Sequence, residues 1–306
     1  MATQKEVSTR IAAVKNVHKI TRAMEMVAAA RLRRAEQRID AMRPYAQAIR
    51  KMTQRVAEAA EGKITRVELL TEREQISKVG ILLVTGDRGL AGAFNTQIIR
   101  EGLRLKGEYR AESTETVFSV VGRRGNSTLS FRGEDVQSAY IGFTDRPAFT
   151  DAREISRELT TAYVDGHLDR VDLVYNRYVS PLTQYVRRQT LLPLQQAEVF
   201  GEGVPEPEQP ADEELAEAHM RGSWYYEPEP EVLLPQLFEE YADLSVYRAL
   251  LESAASELGA RMTAMRNASE NAQDMIRDLT LEMNRVRQAE ITQEILEVVA
   301  GAEALG

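Results

Sequence analysis

Residues 4–44 read QKEVSTRIAAVKNVHKITRAMEMVAAARLRRAEQRIDAMRP, a stretch with no glycine and a single proline, Pro44. Apolar residues fall at Val7, Ile11, Val14, Val17, Ile20, Met24 and Val27, at spacings of 4, 3, 3, 3, 4 and 3. That is close to the 3.5-residue repeat of a coiled-coil seam. Ala28, Ala29 and Ala30 follow, then Leu32, Ala35, Ile39 and Met42; the small side chains let a partner helix approach closely. A helix over 1–60 would be roughly 85 Å long at 1.5 Å per residue, longer than a compact domain is wide. Pro44, after Arg43, predicts a bend or a break.

The opposite end of the chain has the same texture. Apolar or small residues at Leu258, Met262, Met265, Ala268, Ala272, Met275, Leu279, Met283 and Val286 again average about 3.5 residues apart, and Ile291, Ile295 and Val298 carry the stripe on to the tail. A second helix over 231–304 would exceed about 100 Å. Neither helix can bury its stripe alone, so the two are expected to pair with each other, antiparallel.

Between them, over 76–200, the period changes. Val79–Thr85, Thr116–Val121, Val136–Ile141, Val171–Val179 and Gln189–Leu194 read as strands, with helices over Leu90–Lys106 and Thr150–Val164 and a short one after the second strand. Thr150 or Asp151 is the expected cap of the later helix. Alternation of strand and helix predicts a mostly parallel sheet covered by helices. The fold class is thus α/β plus coiled coil, with four segments: helix 1–60, α/β domain 76–200, acidic loop 201–230 and helix 231–304. From 201 to 240 there are 12 acidic residues and one basic residue, among five prolines before residue 231, which reads as a surface loop.

The chain of 306 residues has no Cys and a net charge of −8. Disulfides, thiolate metal sites and Cys nucleophiles are therefore excluded. The charge is uneven: Met1–Arg55 holds 13 basic and 4 acidic residues, so a +9 arm precedes a body of −17. A basic arm on an acidic body points to an anionic partner or to a solvated helix face. Nucleic-acid readers interleave aromatics with their basic residues; here Tyr45 and Phe94 are the only aromatics before residue 100, and nucleic acid is not expected. No apolar run approaches the length of a membrane span.

Catalytic signals are weak. His18, His167 and His219 lack ligand spacing, so no metal is expected. There is no G-x-S-x-G. The turn Gly86-Asp87-Arg88-Gly89-Leu90-Ala91-Gly92 follows a strand and precedes a helix, where a phosphate-binding loop would sit, but it matches neither GxGxxG nor a P-loop. No catalytic residue, cofactor or direct nucleotide binding is expected. From the residues alone, a partner-binding coiled coil on an α/β domain, a non-rotary adaptor and a nucleotide-dependent enzyme using the 86–92 turn all stay open.

Four segments narrow this. Lys19-Ile20-Thr21-Arg22-Ala23-Met24-Glu25-Met26-Val27-Ala28-Ala29-Ala30, with Arg31-Leu32-Arg33-Arg34-Ala35 and Arg43-Pro44-Tyr45, opens the chain. Asp87-Arg88-Gly89-Leu90-Ala91-Gly92-Ala93-Phe94-Asn95 follows the first strand, and Trp224-Tyr225-Tyr226-Glu227-Pro228 precedes the second long helix. Arg285-Val286-Arg287-Gln288-Ala289-Glu290-Ile291-Thr292-Gln293-Glu294-Ile295 closes it. Together they resemble the gamma subunit of F-type ATP synthases over essentially the whole chain. The family often has Cys where this chain has Ala91, and this chain lacks the Cys-containing insertion of the plastid type.

The resemblance implies a Rossmann-like α/β domain inserted in an antiparallel coiled coil. It implies a non-catalytic rotor that transmits torque between the membrane c ring and a ring of alpha and beta subunits, with epsilon and delta as further partners. It implies a peripheral position on the cytoplasmic face of the bacterial plasma membrane. It implies roles as well: Arg287, Gln288, Thr292 and Glu294 as catches on the stator, Met24, Arg31, Arg33 and Arg34 as shaft contacts to acidic beta loops, and Ile295, Val298 and Val299 as a smooth bearing tip. Trp224, Tyr225 and Tyr226 would face the c ring or epsilon.

Overall fold

The computed structural model describes residues 3–59, 68–195 and 227–303. Helix α1 spans Gln4–Ala59, continuing through Pro44, and helix α5 spans Pro230–Glu303. Between them lie β1 (Lys78–Val84), α2 (Phe94–Ala111), β2 (Glu115–Val121), α3 (Arg123–Phe131), β3 (Val136–Tyr140), α4 (Phe149–Val164), β4 (Arg170–Tyr178) and β5 (Gln184–Leu192). The expected acidic loop falls almost wholly outside the described residues. By internal contacts the chain divides into two compact units.

The unit of Arg33–Gly89 and Ala93–Glu257 is built on one five-stranded sheet of order β3-β2-β1-β4-β5. β1 pairs in parallel with β2 and β4, β2 in parallel with β3, and β5 antiparallel with β4. β1, the continuous apolar run, is the central strand and is buried on both faces from Val79 onward, as a parallel strand covered by helices must be. Its core neighbours include Tyr163 and Ile155 of α4 and Phe238 of α5, each essentially inaccessible to water. Burying one such side chain contributes about 1.5–3 kcal/mol.

Three of the expected boundaries that shift have a local reason. α2 starts at Phe94 rather than Leu90, because Leu90 and Gly92 sit at φ +63° and +55° and break a right-handed helix. The cap of α4 is Ala148, whose N–H donates to Asp151 Oδ2 at 2.7 Å, so Asp151 reaches back from inside the helix. β5 begins at Gln184, not Gln189, because a tight turn closes a hairpin there: Thr183 N donates to Ser180 O and Val179 N to Thr183 O. As an edge strand β5 carries Arg187 and Arg188 opposite Tyr175 and Val174, which hid its strand character.

The other unit comprises Met1–Leu32, Leu90–Gly92 and Leu258–Gly306. Here α1 and α5 pair antiparallel. Gln4 N donates to Glu290 Oε1 at 3.3 Å, Val7 and Ile11 pack on Leu279 with Val14 and Met283 beside them, and Arg266 Nε lies 3.1 Å from Glu25 Oε1. Residue numbers rise on one helix as they fall on the other.

The buried face of α1 corrects the seam read from the sequence. Val7, Ile11, Val14, His18, Thr21, Glu25, Ala28 and Leu32 are buried or half-buried, in strict 4-3 alternation. Val17, Ile20 and Val27 are 51, 59 and 53% exposed. On α5 the half-buried Ile276 takes the inward place expected of Met275, which is exposed. A seam must keep to a 3.5-residue period to stay against its partner; three successive steps of three, from Ile11 to Ile20, drift off it.

Candidate functional site: the uncovered faces of the terminal helices

In an open α/β sheet, ligands bind outside the carboxyl ends of the strands where the strand order reverses. Here that point lies between β1 and β4, since β2 and β3 extend to one side of β1 and β4 returns to the other. The crevice is filled by the chain itself. Residues 249–257 of α5 are buried on every face. Ser253 Oγ donates to Val84 O and Ser256 Oγ to Asn176 O, both at 3.2 Å, satisfying carbonyls at the strand ends. A cavity of about 10 Å³ remains, lined by Thr85, Phe94, Thr144, Ser253 and Glu257 among others, about the room of one water.

The turn after β1 is closed in the same way. A phosphate loop works by aiming backbone N–H groups at an anion. Here the anion is Asp87. Its Oδ1 accepts Arg123 N at 3.0 Å, at the start of α3, and its Oδ2 accepts Gly142 N at 2.9 Å, Thr144 N at 3.3 Å and Thr144 Oγ1 at 3.0 Å. Gly86 N donates to Asn95 Oδ1, and Arg88 pairs with Asp145 at 3.2 Å. These donors are taken by a carboxylate fixed in the chain.

The two terminal helices leave apolar surface open. Val17, Ile20, Met24 and Val27 fall at steps of 3, 4 and 3, and Arg31 follows four residues on. This is a second stripe along α1, apart from the buried one, with Met24 half-buried and the rest exposed. Sequence reasoning missed it by merging the two stripes; the run Val14, Val17, Ile20, where an apolar residue belongs to each, was the available signal. Arg33 and Arg34 are exposed farther along α1.

On α5, every residue from 291 to 300 is exposed. Ile295, Val298 and Val299 are 57, 72 and 52% accessible. Arg287 and Glu294 lie seven residues apart on one face, and Gln288 and Thr292 four apart on another, all exposed. Thr292 Oγ1 donates to Gln288 O at 2.8 Å, so its hydroxyl is turned back on the helix. Trp224, Tyr225 and Tyr226 lie outside the described residues. Among the described residues no cluster of His, Asp and Glu could hold a metal ion, and no helix is long and apolar enough to cross a membrane.

Comparison with known proteins agrees with this geometry. A family model described as ATP synthase matches residues 3–305. The ATP synthase gamma chain of Moorella thermoacetica is 39% identical over 305 residues, covering 100% of both chains. That of Glaesserella parasuis is 40% identical over 311 residues, again covering 100% of both. Among solved structures, a chain of the central stalk and c ring of the Tetrahymena thermophila mitochondrial ATP synthase aligns with a TM-score of 0.59 at 29% identity, over 82% of this chain and 99% of that one. A chain of the Euglena gracilis mitochondrial ATP synthase aligns with a TM-score of 0.66 over 99% of this chain and 94% of that one, at 18% identity, a likeness of fold alone. With its matched region and its relatives both spanning the full length, the chain belongs to the ATP synthase gamma chain family.

Proposed function

We propose that this chain is the central-stalk rotor subunit of a proton-translocating F-type ATP synthase, carrying torque between the membrane c ring and the ring of alpha and beta subunits. The observation that carries the reading is the uncovered apolar surface at the end of α5. Ile291, Ile295, Leu296, Val298 and Val299 are all exposed in the isolated chain. A contiguous apolar patch of this kind marks a surface meant to be covered by a partner. Non-directional apolar contact also suits a bearing, because no hydrogen bond has to be broken as the surfaces slide.

In this reading 1–60 and 231–304 form the shaft and 76–200 its foot. The subunit itself is non-catalytic: the crevice of its α/β domain is filled by α5, and the alpha and beta subunits hold the nucleotides. Arg287, Gln288, Thr292 and Glu294 serve as catches on the stator. Met24, Arg31, Arg33 and Arg34 meet acidic beta loops, and Ile295, Val298 and Val299 turn in the bearing. Trp224, Tyr225 and Tyr226 face the c ring or epsilon, and delta completes the set of partners. The complex sits on the cytoplasmic face of a bacterial plasma membrane, a reading supported by full-length bacterial relatives.

The test is the double variant Arg287→Ala, Gln288→Ala in the assembled complex. ATP-driven proton pumping should fall several-fold relative to ATP hydrolysed, while the α/β domain stays folded by circular dichroism. Pumping at the wild-type ratio would refute the catch assignment, and failure of the wild-type chain to co-purify with alpha and beta subunits would refute the rotor reading.

A further inference from the structure

We propose that Glu25 fixes the register of α1 against α5; given the rotor reading, it thereby sets the heights at which the two helices present their uncovered faces. Glu25 occupies a seam position, one heptad beyond His18 and one before Leu32. Its side chain is 9% exposed and bridges Arg22 of its own helix at 3.0 Å and Arg266 of α5 at 3.1 Å. A carboxylate at a seam position sacrifices apolar burial, and the best-attested return for such a residue is specification of register.

The surrounding seam gives that role substance. Beside Glu25 on α1 stand Thr21 and Ala28, and the buried residues of α5 in this unit include Met265, Ser269 and Ala272. The Thr21 hydroxyl is turned back on its own helix, donating to Val17 O and His18 O, both at 3.1 Å. Apart from Met265 these are small knobs, and small knobs discriminate weakly between registers one heptad apart. A slip of one heptad moves Arg266 by about 10 Å along the axis. The carboxylate would then keep only Arg22 of its own helix and lose its partner across the interface, a loss that a charge held in the seam tolerates poorly. Packing favours pairing of the helices, and the ion pair selects one register among those the packing allows.

The chain has no Cys, so engineered cysteines report register directly. Ile11→Cys with Leu279→Cys marks the native register, since these residues share one cluster. Ile11→Cys with Ala272→Cys, or with Val286→Cys, marks a slip of one heptad either way. In full-length chain, Glu25→Ala should raise the ratio of slipped to native cross-link at least about tenfold, the change produced by a 1.4 kcal/mol shift between registers. The isosteric Glu25→Gln should shift it in the same direction without opening a cavity. Glu25→Lys combined with Arg266→Glu should restore the native ratio, a rescue that loss of packing would not give.

In the assembled complex, Glu25→Ala should lower proton pumping per ATP hydrolysed, and the charge exchange should restore it. An unchanged cross-linking ratio in both single variants overturns the proposal, whatever the chain's function. A shifted ratio with normal pumping leaves the register claim standing and refutes its link to coupling. A shifted ratio in a chain that does not assemble with alpha and beta subunits refutes the rotor reading instead.

Discussion

Gly122 joins β2 to α3 at the point where the backbone of the turn after β1 passes closest. It sits at φ +93° and ψ +139°, a conformation that is essentially glycine's alone. A Cβ there would lie 2.4 Å from the carbonyl oxygen of Thr85 and 2.8 Å from the carbonyl carbon of Gly86. Both are backbone atoms, held by the hydrogen bonds of Thr85 N to Val121 O and Arg124 N to Gly86 O, so they cannot swing aside as a side chain would. Gly122→Ala therefore combines about 1–3 kcal/mol of backbone strain with about 1–3 kcal/mol of overpacking, for a loss of about 2–6 kcal/mol, centred near 4. Gly133→Ala is the matched control. Its φ is +72°, but nothing lies within 4 Å of the added Cβ, so only the left-handed term of about 1–2 kcal/mol applies. The gain from a stiffer unfolded chain is common to both and cancels. Urea denaturation of the purified chain, followed by far-ultraviolet circular dichroism with the slope checked for constancy, measures both. Gly122→Ala within about 1 kcal/mol of Gly133→Ala would refute the claim that the β1 turn is locked against this glycine.

Three further outcomes follow from the same geometry. Asp87→Ala leaves the N–H groups of Arg123, Gly142 and Thr144 without their acceptor and should cost about 3 kcal/mol of stability by urea denaturation; a loss under about 1 kcal/mol would mean that water replaces the carboxylate. Truncation after Val286 should weaken the assembled complex while leaving ATP hydrolysis measurable, and an intact truncated assembly with no hydrolysis would contradict a non-catalytic role. Burial lifts the Asp243 carboxyl above its ordinary 3.8 although Arg153 lies beside it at 3.2 Å. A raised folded-state pKa favours folding at low pH and loses that contribution as pH rises from 3.8 through the folded value. Asp243→Asn should therefore gain stability relative to the wild type as pH rises from about 4 to about 7; urea midpoints showing no trend across that range would count against the burial argument.

Where sequence and structure part company, distance along the chain is the reason. That both ends are long helices and the middle is α/β is written in local periodicity and in the apolar run at β1, because those depend on neighbours a few residues away. The apolar stripe of the tail was legible too: Ile291, Ile295 and Val298 carry it on along α5, and all three are exposed. Two apolar series overlap on α1, however, and choosing Val14–His18–Thr21 over Val14–Val17–Ile20 as the inward one depends on α5, more than 200 residues away. The same holds for the crevice. The sequence offered a strand, a glycine-rich turn and a helix, the outline of a phosphate site. Only the tertiary structure brought Thr144 and Gly142 onto Asp87 and laid Ser253 and Ser256 across the ends of β1 and β4. Period and composition determined what each segment is. Packing between segments remote in sequence decided which faces are consumed by the fold and which remain for partners, because burial is a property of pairs of surfaces and not of either one.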